Sequence, residues 1–230
     1  MDNVITKSTY VDTKFSLDNL KRQKESILNN PTTFTGCDRL GSGKDLLLKE
    51  YYDTPDFFLH ERGITINVNT LKGSKTSELV IRWCGQEERI AFLSDMPDTF
   101  VIQIPARDSI YNHAEFICNS ISELVPSGLN VDLFELLKSV RKVFSIRKTR
   151  EFYRFIHISG LKFTFYFTKA EYYTDLNRNK EKTIMLEVMS DTLKKNTEYN
   201  ALIKKIVFNN PTLIKLQNSD ILLAKQYLFK

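Results

Sequence analysis

The chain has 230 residues, with 33 Lys and Arg against 28 Asp and Glu, and its formal charge of +5 with a pI near 8.9 suits a local anion site while excluding a surface that coats nucleic acid. A hydrophobic fraction of 42% can fill a core, and 16 Phe and 10 Tyr beside only 8 Gly and 6 Pro favour sheet and exclude a low-complexity chain. No apolar run reaches the roughly 18 to 20 residues of a bilayer span, and residues 1–14 show no signal-peptide core, so a soluble, cytoplasmic protein with no membrane partner is expected.

Thr9 to Leu17 reads as a strand from its β-branched and aromatic content. Ser16 or Asp18 is then placed to cap a helix running toward Asn30, with Leu20, Ile27 and Leu28 inward, and Asn29-Asn30-Pro31 stops it. Gly41-Ser42-Gly43-Lys44 lacks the spacing of a phosphate loop and has no helix behind it, so it reads as a mobile loop. A strand from Leu46 to Tyr52 ends at Asp53-Thr54-Pro55, where the residue before proline is pushed out of the helical region.

After Gly63 the chain alternates, with Ile64, Ile66 and Val68 on one face and Thr65, Asn67 and Asn69 on the other. Glu78 to Cys84 alternates likewise, and Gly73-Ser74 between the two strands predicts a hairpin. Ser109 to Leu124 changes to helical spacing through Ile110, Ala114, Ile117, Cys118, Ile121 and Leu124, and a second helix runs from Val131 or Asp132 to about Val140. Three strands follow, Phe144 to Ile158, Leu161 to Thr168 and Lys182 to Met189, the first turned into the second at Ser159-Gly160. Helices from Thr192 to about Val207 and from Asp220 to Leu228 close the chain.

This order, with connections short enough for antiparallel pairing and no linker composition anywhere, predicts one α+β domain over residues 1–230 whose sheet curls into a barrel with helices outside. Cys37, Cys84 and Cys118 are odd in number and widely spaced, which fits neither a disulfide framework nor a zinc site and leaves reduced, structural thiols. His60, His113 and His157 have no partner at ligand spacing, and Lys21, Arg22, Lys24, Lys204 and Lys205 read as solvated helix faces.

Tyr51-Tyr52-Asp53-Thr54-Pro55-Asp56, followed by Leu59 and Gly63-Ile64-Thr65-Ile66, resembles the most recognisable segment of the CYTH family, the triphosphate tunnel metalloenzymes. Further segments resemble that family in order along the chain. Tyr10 to Phe15 is similar to its Glu-x-Glu-x-Lys strand, with Lys14 at the lysine and Asp12 at the second acid. Leu79 to Arg82 is similar to a strand that ends in a basic residue, and Glu88 to Leu93 to the acidic strand after it. Arg147 to Tyr153 is similar to the basic strand, with Arg150 at its central arginine, and Leu186-Glu187-Val188 to the late acidic strand.

The resemblance implies a closed antiparallel barrel of about eight strands that binds the triphosphate of a nucleotide, thiamine triphosphate, inorganic polyphosphate or an RNA 5′ end. It implies Lys14, Arg82 and Arg150 as phosphate ligands, and Asp12, Glu88 and Glu187 as ligands of Mg²⁺ or Mn²⁺, with Glu187 and Glu88 serving catalysis. Lys148 and Arg154 share the parity of Arg150 and join the phosphate set, as do Asn67 and Asn69 where the family has an arginine pair. The chemistry agrees, because cations in a low-dielectric tunnel attract a polyanion strongly and Mg²⁺ takes hard carboxylate oxygens together with substrate phosphates.

The chain also departs from the pattern. Tyr10 replaces the first acid, Thr168 an aspartate, and Glu187 stands alone between Met185 and Met189 where an acidic pair is usual. With three carboxylates and two arginines gone, three readings stay open: a weakened metal-dependent triphosphatase, a non-catalytic binding or protein-interaction module on the same barrel, and an RNA 5′-triphosphatase or adenylyl cyclase.

Overall fold

The computed structural model describes residues 6–7, 11–83, 99–125, 131–175, 181–190, 197–216 and 220–228. In chain order the elements are β1 (Thr6–Lys7), β2 (Val11–Ser16), α1 (Leu20–Leu28), β3 (Cys37–Asp53), α2 (Phe58–Glu61), β4 (Ile64–Leu71), β5 (Thr76–Trp83) and β6 (Thr99–Pro105). A 3₁₀ turn (Ile110–His113) leads into α3 (Ala114–Leu124), and then come α4 (Leu133–Ser139), β7 (Arg141–His157), β8 (Lys162–Tyr173), β9 (Glu181–Ser190), α5 (Thr197–Asn209), β10 (Ile214–Leu216) and α6 (Asp220–Leu228).

The expected α+β class holds. The strands follow the hydrogen-bonded order β1-β6-β5-β4-β3-β7-β8-β9-β2-β10. Every pair whose register is defined is antiparallel. Among the described residues the sheet has ten strands where about eight are expected, and two of them are short, β1 with 2 residues and β10 with 3. No helix among the described residues is long and apolar enough to cross a membrane.

The chain folds into two compact units. The first comprises Met1–Ser8 and Leu47–Ile146, the second Thr9–Leu46 and Arg147–Lys230, and the two 17-residue strands β3 and β7 contribute to both.

The core of the first unit follows from alternation. Register sets Ile66 opposite Ile81 and Ile81 opposite Phe100, with Val68, Leu79 and Ile102 in the parallel row, so one apolar face runs across β4, β5 and β6. Ile117, Cys118, Ile121 and Leu124 of α3 cover it at helical spacing. β6 is an addition to the strands expected, although Phe100, Ile102 and Ile104 alternate with Thr99, Val101 and Gln103 and carry the signal. The strand expected at Glu88 to Leu93 lies outside the described residues, as does Cys84.

In the second unit the row Phe15, Leu186, Phe167 and the row Thr13, Val188, Phe165 give β2, β9 and β8 an apolar face. Tyr153 and Phe155 of β7 extend it, and Ile27 of α1 with Tyr199, Leu202 and Ile206 of α5 bury it. Phe155 stacks on Phe34 at 4.5 Å and on Phe163 at 5.4 Å.

Two local expectations are corrected. The cap of α1 is Asn19, whose side chain accepts from Arg22 N at 3.0 Å, while Gln23 Oε1 accepts from the N–H groups of Asp18 and Asn19. Gly41 to Lys44 is no loop but the middle of β3, and a Cβ on Gly43 would stand 2.7 Å from Phe152 Cζ. Glycine is there because the aromatic ring packs on the bare backbone.

Asp53 of the recognised segment is only 3% exposed, and its carboxylate accepts from the N–H groups of Thr54 (2.7 Å), Leu59 (2.9 Å) and His60 (3.0 Å). It ties the end of β3 to α2 across Phe57, which sits at φ 61 in the left-handed region. Asp53→Ala leaves those buried donors unpaired and is expected to lower the unfolding free energy by about 2 to 3 kcal/mol in urea titrations, whereas exposed Asp56→Ala costs clearly less.

Candidate functional site

The face of the second unit opposite its apolar one is polar, and the same pairing builds it. Lys14 of β2 lies directly opposite Glu187 of β9, and Glu187 opposite Tyr166 of β8, so the three side chains share one face. Ser16, Met185 and Thr168 form the neighbouring row.

Lys148 of β7 reaches the same place. Its Nζ donates to Glu187 Oε1 at 2.6 Å and to Asp220 Oδ1 at 3.3 Å, with Asp220 Oδ2 at 3.2 Å. Lys14 Nζ donates to Asp220 Oδ1 at 2.9 Å, and Thr168 Oγ1 donates to Glu187 Oε2 at 2.8 Å. Lys148 and Asp220 are each 3% exposed, so these charges meet protein groups and hardly any solvent.

Arg150, also on β7, forms a two-pronged pair with Asp45 of β3, Nε to Oδ1 at 2.6 Å and Nη2 to Oδ2 at 2.8 Å. Its guanidinium lies 4.5 Å over the Tyr166 ring. Of the residues named from sequence, the structure therefore brings Lys14, Lys148, Arg150 and Glu187 to one face. Arg154 stands apart from this hydrogen-bonded cluster, exposed, with its guanidinium 4.9 Å over Phe152.

In the first unit, pairing sets Arg82 opposite Thr65 and puts Asn67 and Asn69 on that same face. Asn67 is 5% exposed and donates from Nδ2 to Asn69 Oδ1 at 2.7 Å. Glu88 lies outside the described residues; the backbone of Asp12 pairs with Met189, but its side chain lies outside them too.

Sequence reasoning missed Asp220 and Asp45. Asp220 reads locally as an acid in the first turn of a helix, a common helix signal. Its contact with Lys14 joins residues 206 positions apart, which one sequence does not display.

Burial pushes the Glu187 carboxyl up, but the ammonium groups of Lys148 and Lys14 beside it outweigh that and hold it below the usual carboxylate value. Both of its oxygens are engaged, one by Lys148 and one by Thr168. Among the described residues no three His, Cys, Asp or Glu side chains are grouped to hold a metal ion. The oxygens of Glu187 are met by Lys148 and Thr168 and those of Asp220 by Lys14 and Lys148, so Mg²⁺ or Mn²⁺ would have to displace an ammonium to reach them, against a repulsion of about 8 kcal/mol from each ammonium left about 4 Å away at an effective dielectric of about 20.

The depressed Glu187 value gives a pH prediction. A carboxyl lowered in the folded state adds stability above its ordinary value of 4.5 and loses it as pH falls through the folded value. Glu187→Gln should lower the urea midpoint near neutrality, and its difference from wild type should shrink as the titration moves into that acid range.

No family model and no curated protein matches this sequence. Among solved structures it is similar to a proposed adenylate cyclase from Bacillus halodurans, with a TM-score of 0.56 and 8% identity over 98% of this chain and 99% of that one. It is also similar to a proposed adenylyl cyclase from Hippeastrum described as having a dominant triphosphatase activity, with a TM-score of 0.53 and 10% identity over 95% of this chain and 96% of that one. Identities this low speak for the fold alone.

Proposed function

The chain has the CYTH, or triphosphate tunnel, fold, and we propose that it binds a triphosphate-bearing ligand, a nucleotide, thiamine triphosphate or inorganic polyphosphate, on the polar face that carries Lys14, Lys148 and Arg150. The closed barrel expected from sequence enters as part of the same proposal. One observation carries the reading: three cationic side chains from two strands, none more than 12% exposed, converge on one sheet face.

Buried cations are costly unless an anion faces them, and a site that holds them ready binds a polyanion with charge-assisted hydrogen bonds. Here Glu187, Asp220 and Asp45 hold the three cations. A phosphate chain can join the carboxylates on these cations, since an ammonium carries three donors and a guanidinium five. Hydrolysis would also need an activated water and its general base, and binding is the activity proposed.

A second reading is favoured by the same pairing. Among the described residues three cations are matched by three carboxylates, as suits a barrel retained as a non-catalytic interaction module.

Thermal unfolding with tripolyphosphate, ATP and thiamine triphosphate separates the two. The binding reading expects stabilisation that grows with ligand, by about 2.7 kcal/mol at a hundredfold excess over Kd. Lys14→Met and Arg150→Gln should each weaken tripolyphosphate binding about tenfold or more, since each removes a charged donor. No stabilisation by any of the three ligands retires the reading in favour of the interaction module.

A further inference from the structure

We infer that the ammonium group of Lys148, with that of Lys14 beside it, occupies the place beside Glu187 where the sequence resemblance leads one to expect a divalent cation, so that this chain grips its anion without a metal ion.

The position has the surroundings of a cation site. Lys148 Nζ lies between two carboxylates from separate elements, Glu187 of β9 at 2.6 Å and Asp220 of α6 at 3.2 Å, and only 3% of the residue is exposed. These hard oxygens are the ligand type Mg²⁺ or Mn²⁺ would take. An ammonium has three donors. The two carboxylates engage two of them, and the third remains to meet a phosphate oxygen, which is the bridge between protein acids and ligand anion that a metal otherwise makes.

The residues around it are suited to an ammonium. Thr168 stands where the resemblance leads one to expect an aspartate, and its hydroxyl donates to Glu187 Oε2 at 2.8 Å. An aspartate there would turn a second negative charge on Glu187, and only a strong cation between them could hold the pair. A threonine needs none. Asp220 meanwhile supplies the second carboxylate from a helix, completing the balance of two ammonium groups against two acids. Thr168 and Lys148 thus belong to one charge arrangement, in which the lysine meets the acids that a metal would otherwise need to meet.

The inference rests on the binding reading for the nature of the anion, while the place of the cation can be decided separately. The test uses the full chain, wild type and Lys148→Met, with Mn²⁺ titrated by calorimetry and thermal unfolding, and tripolyphosphate titrated in EDTA and in Mn²⁺. Wild type should show no Mn²⁺ binding dependent on Glu187, and its tripolyphosphate Kd should agree within about threefold in the two buffers. Lys148→Met, which frees Glu187 and Asp220, should unfold at a lower temperature and regain stability with Mn²⁺.

Mn²⁺ binding to wild type that Glu187→Gln abolishes overturns the inference. So does tripolyphosphate binding about tenfold or more tighter with Mn²⁺ than with EDTA, or a folded Lys148→Met indifferent to Mn²⁺. If Lys148→Met does not fold, the wild-type arms decide. Failure of tripolyphosphate to bind in either buffer removes the proposed ligand, and the Mn²⁺ arms then rule on the cation by themselves.

Discussion

A lysine ammonium buried to 3% exposure against a carboxylate at 2.6 Å is the interaction on which the polar half of this molecule depends. Neither charge could be left alone there, because removing an ion from water costs several kcal/mol even after the protein relaxes. The pair is tolerated because every neighbour completes it. Thr168 takes the second oxygen of Glu187, Asp220 shares Lys148 with it, and Lys14 takes up Asp220. Through these bonds β2, β7, β8, β9 and the start of α6 are tied at one point of the sheet.

Stability alone is a poor reason to keep such a cluster. Well-packed apolar residues of similar volume often replace a buried ion pair at no loss, and the opposite face of the same strands shows this sequence packing Phe15, Phe165, Phe167, Leu186 and Val188 without difficulty. The polar face therefore reads as held for what it can meet. On the first unit's polar face Asn67 and Asn69 bond each other and supply no net charge, while Arg82 stands opposite Thr65 and Lys49 opposite Asn69. The second unit's polar face carries Lys14, Lys148 and Arg150.

The segment that carries the sequence resemblance, Tyr51 to Asp56, has a structural role. The Asp53 carboxylate is consumed by three backbone N–H groups that close the turn into α2. Thr54 works beside it, accepting from Phe58 N at 2.9 Å. The motif fixes the backbone between β3 and β4, and that backbone serves any chemistry placed on the sheet.

Elements with clean periodicity are readable from sequence. β4 alternates from Ile64 to Asn69, β5 does so with Val80 as an apolar exception, and α3 and α4 show helical spacing, with Ser109 accepting from Tyr111 N at the 3₁₀ turn before α3 and Asp132 capping α4. What escapes is set by distant partners. The Gly-Ser-Gly-Lys run reads as a loop because its strand character comes from its hydrogen-bonded neighbour β7 and from the Phe152 ring over Gly43, not from its own residues. Parity alone places Lys148, with nothing local to tell a buried ammonium from an exposed one. Asp220 is hidden more deeply, since only the folded chain brings the first turn of the last helix to a lysine near the opposite end of the sequence. Single-sequence reading finds which strands can build a charged face. The counterions that decide whether a metal has room there come from long-range closure, and that is where the chemistry of this site is determined.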